Sequence, residues 1–106
     1  HRSGLPPGRR IWRTASSPAQ AREQVLTTRL NSMPGGITDY SDLGAMVLGW
    51  TIERVSGMPL DRFCQTRVFA PLGMTQTRYR PPAEWRARTA PTEMYPPRGY
   101  PLRGEV

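Results

Sequence analysis

The sequence predicts a mainly α-helical fold with long irregular loops. A helix-capping pattern begins at Ser17, an apolar stripe with helical spacing covers 43–55, and no segment alternates apolar and polar residues as a strand does. The 12 prolines and 10 glycines among 106 residues favour irregular connections. With 37% hydrophobic residues, the chain has few core side chains for its length.

The first helix is predicted by its N-terminal signals. Ser17 can cap, Pro18 suits the first helical position, and Gln20 completes a Ser-x-x-Gln capping box. We expect this helix to run to about Leu30, because the sequence MPGG at 33–36 forms a turn.

The second helix is predicted by the strongest apolar stripe in the chain. Its members fall at positions i, i+3, i+4 and i+7: Leu43, Met46, Val47 and Trp50. Further apolar residues at 48, 52 and 55 widen the stripe, so we expect burial on two sides. Ser41 or Asp42 can cap the helix, and Gly57 can end it. Gly44 and Gly49 within it indicate close approach of another backbone.

A third helix is expected from about Pro59 to the residue before Pro71, because a residue ahead of proline leaves the helical region. The chain then divides into a loop at 1–16, a helical part at 17–79 and a proline-rich irregular tract at 80–106. No internal repeat links these parts, and no apolar run reaches the roughly 18 residues of a membrane span.

The composition excludes several kinds of site. All 15 basic residues are arginine, so the chain has no Walker-type phosphate loop, no Schiff base and no Ser-x-x-Lys pair. Its lone cysteine, Cys64, and lone histidine, His1, exclude an internal disulfide and a cysteine- or histidine-rich metal site. We therefore expect neither a metal nor a cofactor. Positions 1–20 contain no apolar signal-peptide core, and nothing in the sequence indicates the protein's location.

The net charge of +7 leaves a polyanion-binding module open as an alternative. Arginines cluster in two groups, neither of which forms a run of five like charges. The groups are Arg9, Arg10 and Arg13, and Arg78, Arg80, Arg86 and Arg88. Because no recognition helix or known RNA-binding motif accompanies them, nucleic-acid binding is the less favoured interpretation.

The Tyr40-Ser41-Asp42 triplet is the main candidate for chemistry. It immediately precedes the second predicted helix, whose free N–H groups and dipole stabilise negative charge such as a phenolate. The alternative is structural: Tyr40 packs as a turn aromatic and Ser41 merely caps the helix.

Blocks of sequence in a fixed order support the chemical interpretation. They are HRSGLP at 1–6, PGGITDYSD at 34–42, LGWTIERVSG at 48–57, PLGMTQT at 71–77, and APTE and RGYPLRGEV at 90–93 and 98–106. Together these blocks resemble the serine β-lactamase and penicillin-binding-protein family, in particular its class C-like members. The resemblance implies that 1–106 is a partial β-lactamase-like domain, a fragment of the helical region of an α+β β-lactamase/transpeptidase-like fold.

The resemblance also implies roles for two residues. Tyr40 matches the catalytic tyrosine that helps to move a proton, and Asp42 stands where the family usually has a substrate-contacting asparagine. An ionised aspartate cannot donate a hydrogen bond, so this departure changes what position 42 can recognise. The HRSGLP segment matches a stretch that is mostly structural in the family, so we assign it no chemistry.

The family's remaining catalytic parts are not in this chain. The resemblance implies a Ser-x-x-Lys nucleophile upstream and a Lys-Thr-Gly or His-x-Gly motif downstream. It also implies a neighbouring lysine that stabilises the tyrosine's phenolate. We therefore expect a serine-hydrolase fragment that is inactive alone. The intact protein would act on a β-lactam, a peptidoglycan peptide or an ester. Family members often work outside the cytoplasm.

Overall fold

The computed structural model describes residues 1–8, 10–96 and 98–105, which fall into two compact units, His1–Leu60 and Asp61–Val106. The elements are α1 (Ile11–Thr14), α2 (Pro18–Leu26), α3 (Asp42–Ser56), α4 (Leu60–Cys64), a π-helical segment (Gln65–Phe69) and a 3₁₀-helix (Ala83–Arg88). Because the described residues include helices and long loops but no strand, the predicted mainly α-helical character is confirmed.

Helix α2 begins as the sequence predicts but ends earlier. The Ser17 hydroxyl accepts a hydrogen bond from the Gln20 N–H at 3.2 Å. The Gln20 side chain reaches back to the Ser16 N–H at 2.6 Å, one residue before the position that a capping box uses. The helix ends at Leu26 instead of about Leu30. The hydroxyl of Thr27 donates to the carbonyl of Glu23 at the helix end.

Helix α3 has the ends that the sequence predicts. Ser41 is the N-cap, and its hydroxyl accepts from the Gly44 N–H at 3.1 Å. Gly57 ends the helix in the left-handed conformation at φ 67°, which glycine adopts at little cost. The prediction of a close backbone at Gly44 and Gly49 was wrong, because their near neighbours are the side chains of Ser3 and Leu60.

The hydrophobic core of the first unit is small and one-sided. Four buried side chains form it, with partly buried neighbours around them: Leu5, Ile11, Val25 and Leu43, then Ala15, Ala21, Val47 and Trp50. The prediction that α3 is buried on two sides was wrong for this unit, since Leu48 is 61% and Val55 82% exposed. Helix α2 packs on α3 on one side only, which leaves the wider part of the apolar stripe uncovered.

Two short helices lie where loops were expected. Helix α1 forms within 1–16 because Ile11 is anchored in the core. In the second unit, the 3₁₀-helix interrupts the proline-rich tract, and the guanidinium groups of Arg78 and Arg88 lie over its Trp85 ring at 5.9 and 4.3 Å. No hydrophobic residue of Asp61–Val106 that the structure describes is buried. Across the described part of the chain, no helix is long and apolar enough to span a membrane.

Candidate functional site

The candidate site is organised by the N-terminal segment, residues 1–6, which runs against the loop that leads into α3. Three backbone hydrogen bonds of 2.8–2.9 Å join them: Asn31 N–H to the Gly4 carbonyl, Gly35 N–H to the Arg2 carbonyl, and Asp39 N–H to the His1 carbonyl. The Arg2 guanidinium also donates to the Gly35 carbonyl. The loop that carries Tyr40 is therefore held along its length.

Gly4 allows this close approach. Its φ is +77°, and a Cβ at this position would lie against the backbone carbonyl of Ser32. Glycine is the residue that tolerates both the left-handed backbone and the close contact. The glycine of the HRSGLP block thus has a structural role in placing the loop that precedes α3.

Ser41 ties the start of α3 to the same segment. Its side chain is fully buried; the hydroxyl donates to the Pro6 carbonyl at 2.7 Å and accepts from the Gly44 N–H at 3.1 Å. Its own backbone N–H donates to Nδ1 of His1 at 3.1 Å. Because the hydroxyl is buried and its hydrogen bonds are made within the fold, Ser41 is a structural anchor and a poor nucleophile.

Tyr40 lies one residue before this cap, with its side chain 69% exposed. Its ring stacks on the imidazole of His1, with centroids 4.5 Å apart and an interplanar angle of 31°. Aromatic pairs of this geometry contribute about 0.5–1.5 kcal/mol beyond the burial of their area. The phenol is thus held against one aromatic partner and stays outside the packed core.

Asp42 occupies the first turn of α3 and lines an open cleft of about 850 Å³. The side chains around the cleft come from α1, α2, α3 and their connections: Gly8, Arg10, Ile11, Trp12, Ala15, Ser16, Ser17, Pro18, Ala21, Asp42, Leu43 and Met46. Tyr40 is not among these lining residues. The structure thus places the two predicted site residues on either side of the buried Ser41, with Tyr40 at His1 and Asp42 at the cleft.

In the first predicted basic group, Arg10 and Arg13 line one open cleft of about 390 Å³. Arg9 lies outside the described residues. Arg10 also lines the 850 Å³ cleft, and the guanidinium of Arg13 lies over the Trp12 ring at 4.7 Å. In the second group, Arg86 pairs with Glu105 at 3.1 Å, with both side chains solvent-accessible. Polyanion binding at either group stays a prediction.

Tyr79, in the second unit, has a phenol whose pKa departs from its ordinary value. Partial burial raises the pKa of its phenol, and the neighbouring Cys64 thiol raises this pKa further through charge and hydrogen bonding. The ring also stacks near Phe69, with centroids 6.4 Å apart. A raised pKa makes Tyr79 a weaker acid, so it is less suited than an ordinary tyrosine to give up a proton.

His1 is the residue of this site that the sequence analysis missed. It was assigned no chemistry, yet its imidazole contacts both Tyr40 and the Ser41 backbone. The signal was its place in the HRSGLP block, but no spacing rule links positions 1 and 40. No group of three or more metal-ligating side chains occurs among the described residues.

Comparison with known proteins gives consistent results. A family model described as Beta-lactamase matches residues 1–105. A protein of Escherichia coli (strain K12) named "Putative D-alanyl-D-alanine carboxypeptidase" is 40% identical over 62 residues, which are 58% of this chain and 14% of that protein. A Salmonella paratyphi B protein of the same name is 37% identical over 67 residues, 63% of this chain and 16% of its own length. The chain therefore matches about one-seventh of these relatives.

Proposed function

Because the chain belongs to the β-lactamase family, we propose that it supplies part of the active site of a serine hydrolase of the β-lactamase and penicillin-binding-protein type. The observation that supports this proposal most directly is the position of Tyr40. Its ring is exposed and stacked on His1 at the start of α3, where a reacting group has access to the hydroxyl.

In the proposed reaction, Tyr40 moves a proton. A serine hydroxyl elsewhere in the parent polypeptide attacks the carbonyl carbon of a β-lactam, peptide or ester. Its proton passes to the Tyr40 oxygen as phenolate, or to a neighbouring base. The substrate's C–N or C–O bond breaks, the leaving nitrogen or oxygen takes up the proton, and water later hydrolyses the acyl-serine. The names of the relatives favour a peptide ending in D-alanyl-D-alanine as the substrate.

Asp42 is proposed to contact the substrate. A carboxylate accepts hydrogen bonds and attracts cations, whereas the asparagine usual at this position both accepts and donates. Asp42 therefore favours a substrate that offers an N–H or ammonium group at this point. Arg10, which lines the same cleft, offers a positive partner for a substrate carboxylate.

The 106-residue chain is proposed to be inactive by itself. It contains no lysine, and therefore no Ser-x-x-Lys pair and no lysine beside Tyr40. Without an activated nucleophile the acylation step cannot begin. An in-frame Ser-x-x-Lys segment in the coding DNA upstream would support a longer parent enzyme.

The proposal is tested with nitrocefin, a p-nitrophenyl ester and a D-alanyl-D-alanine peptide. We expect no turnover by the isolated chain. In a longer polypeptide that joins this sequence to a Ser-x-x-Lys segment, Tyr40→Phe should lower acylation about 10²–10⁴-fold, the usual contribution of a positioned proton-transfer group. Tyr100→Phe is the matched control and should keep activity. Turnover by the isolated chain, or full activity of Tyr40→Phe, would refute the proposal.

A further inference from the structure

One imidazole makes two contacts at the start of α3. The His1 ring stacks on Tyr40 at a centroid distance of 4.5 Å, and its Nδ1 lies 3.1 Å from the Ser41 backbone nitrogen. The two contacted residues are neighbours in the chain. Both contacts reach across about 40 positions of sequence, so they depend on the N-terminal segment being in place.

The hydrogen bond fixes the state of the ring. A backbone N–H can only donate, so Nδ1 of His1 accepts and carries no proton. The proton of the neutral imidazole therefore lies on Nε2. Protonation of His1 would turn Nδ1 into a donor, and the contact with the Ser41 N–H would be lost.

We infer that His1 is a positioning residue for Tyr40: it accepts the Ser41 N–H and presents its ring face to the phenol, which fixes where the tyrosine hydroxyl lies. The contact itself does not depend on the proposed function, but its effect on catalysis does. Tyr40 is 69% exposed, so the imidazole is the ring partner that limits its motion. His1 acts through Tyr40 and is not itself required to touch the substrate.

Two substitutions separate the two contacts. His1→Phe keeps an aromatic face for Tyr40 but has no acceptor for the Ser41 N–H. His1→Asn places an oxygen where Nδ1 lies but has no ring. His1→Ala removes both contacts. NMR of the full chain with labelled tyrosine and ¹⁵N-labelled backbone reports on each, with the Tyr40 signal assigned from Tyr40→Phe.

We expect wild-type Tyr40 ring protons to show an upfield ring-current shift. In His1→Phe this shift should persist, while the Ser41 amide signal moves. In His1→Asn the Ser41 amide signal should stay and the Tyr40 ring shift should disappear. If the Tyr40 signals are the same in wild type and His1→Ala, as they would also be in an unfolded chain, the inference is wrong.

The kinetic test keeps this inference apart from the proposed function. In the longer active polypeptide, His1→Asn should lower kcat about tenfold with little change in KM. His1→Phe, which keeps the aromatic ring, should retain most of the wild-type kcat. If the NMR result holds but Tyr40→Phe is fully active, the proposed function fails and the positioning role stands. If Tyr40→Phe is inactive but the Tyr40 ring shift is unchanged by substitutions of His1, the proposed function stands and the positioning role of His1 fails.

Discussion

Ser41 shows how one small buried side chain holds the candidate site together. Its hydroxyl satisfies both the Pro6 carbonyl and the Gly44 N–H, and it leaves neither group unpaired at the start of α3. An unpaired buried polar group costs about 1–3 kcal/mol, which is more than the hydrogen bond itself is worth. The placement of Tyr40 and Asp42 on either side therefore depends on this hydroxyl.

We expect Ser41→Ala to lower the free energy of unfolding by about 2–3 kcal/mol, because the helix cap is lost and the Pro6 carbonyl loses its partner. Ser17→Ala is the matched control, since Ser17 is an exposed N-cap. It should cost about 1 kcal/mol or less. Urea titration followed by far-UV circular dichroism measures both. Equal losses would contradict the anchoring role of Ser41.

At Tyr79 the expected effect is on titration at alkaline pH. The phenol of Tyr79 stays protonated to a higher pH in the folded state than in the unfolded state, because burial and Cys64 raise its pKa above the ordinary value of 10.0. This contribution to stability is complete below about pH 10 and is lost as the pH rises through the raised pKa.

Cys64→Ala should move the pKa of Tyr79 part of the way back toward 10.0, since burial, the larger cause, remains. Absorbance at 295 nm measures the titration, and Tyr79→Phe identifies which step belongs to this residue. No change in the Tyr79 titration after removal of the thiol would show that Cys64 does not act on it.

At this scale the sequence predicted what depends on neighbours in the chain. The cap at Ser41 and the left-handed Gly57 follow from local hydrogen bonding and from the freedom of glycine. The contact between the His1 and Tyr40 rings does not follow from local rules, because it joins positions that are distant in the sequence. The roles of Tyr40 and Asp42 came from resemblance and stay predictions.

Helix α3 is the element whose apolar surface exceeds what its unit can cover. Leu43 is 1% exposed, whereas Leu48 and Val55 on the wider part of the stripe are open to solvent. Helical periodicity states which residues share a face, but it does not state whether a partner is present. This is why the ends of α3 were predicted correctly and its burial was not.

We expect the double substitution Leu48→Gln and Val55→Gln to change the free energy of unfolding by less than about 0.5 kcal/mol per site, because neither side chain is buried in its unit. Urea titration measures the change. Leu43→Ala is the buried control and should cost about 2–5 kcal/mol. If the double substitution also lowers the free energy of unfolding by about 2–5 kcal/mol, the exposed face is covered in solution.

At the scale of the whole molecule, the packed interior of the described residues is confined to the first unit. Its four buried apolar side chains come from the N-terminal segment, α1, α2 and α3. In the second unit, the described residues make cation–π and stacking contacts at partly exposed rings. The small core expected from composition is thus confirmed, but its restriction to one unit required the structure.

Amide hydrogen exchange should show this difference. We expect the slowest exchange in α2 and α3 near Val25 and Leu43, and fast exchange in the second unit, where no described hydrophobic residue is buried. Mass spectrometry of peptides from each unit measures both. Equal protection in the two units would contradict this division, and fast exchange everywhere would show that the isolated chain does not fold.

The contacts between the N-terminal segment and the start of α3 have a consequence for the order of folding. The hydrogen bonds from Ser41 to His1 and Pro6 join positions 40 and 35 residues apart. Closing a loop of that length costs about 3 kcal/mol of chain entropy, whereas a helix grows from neighbours within microseconds. Helix α3 can therefore form before its first turn is fixed, and Tyr40 reaches its place on His1 only when residues 1–6 pack against the start of this helix.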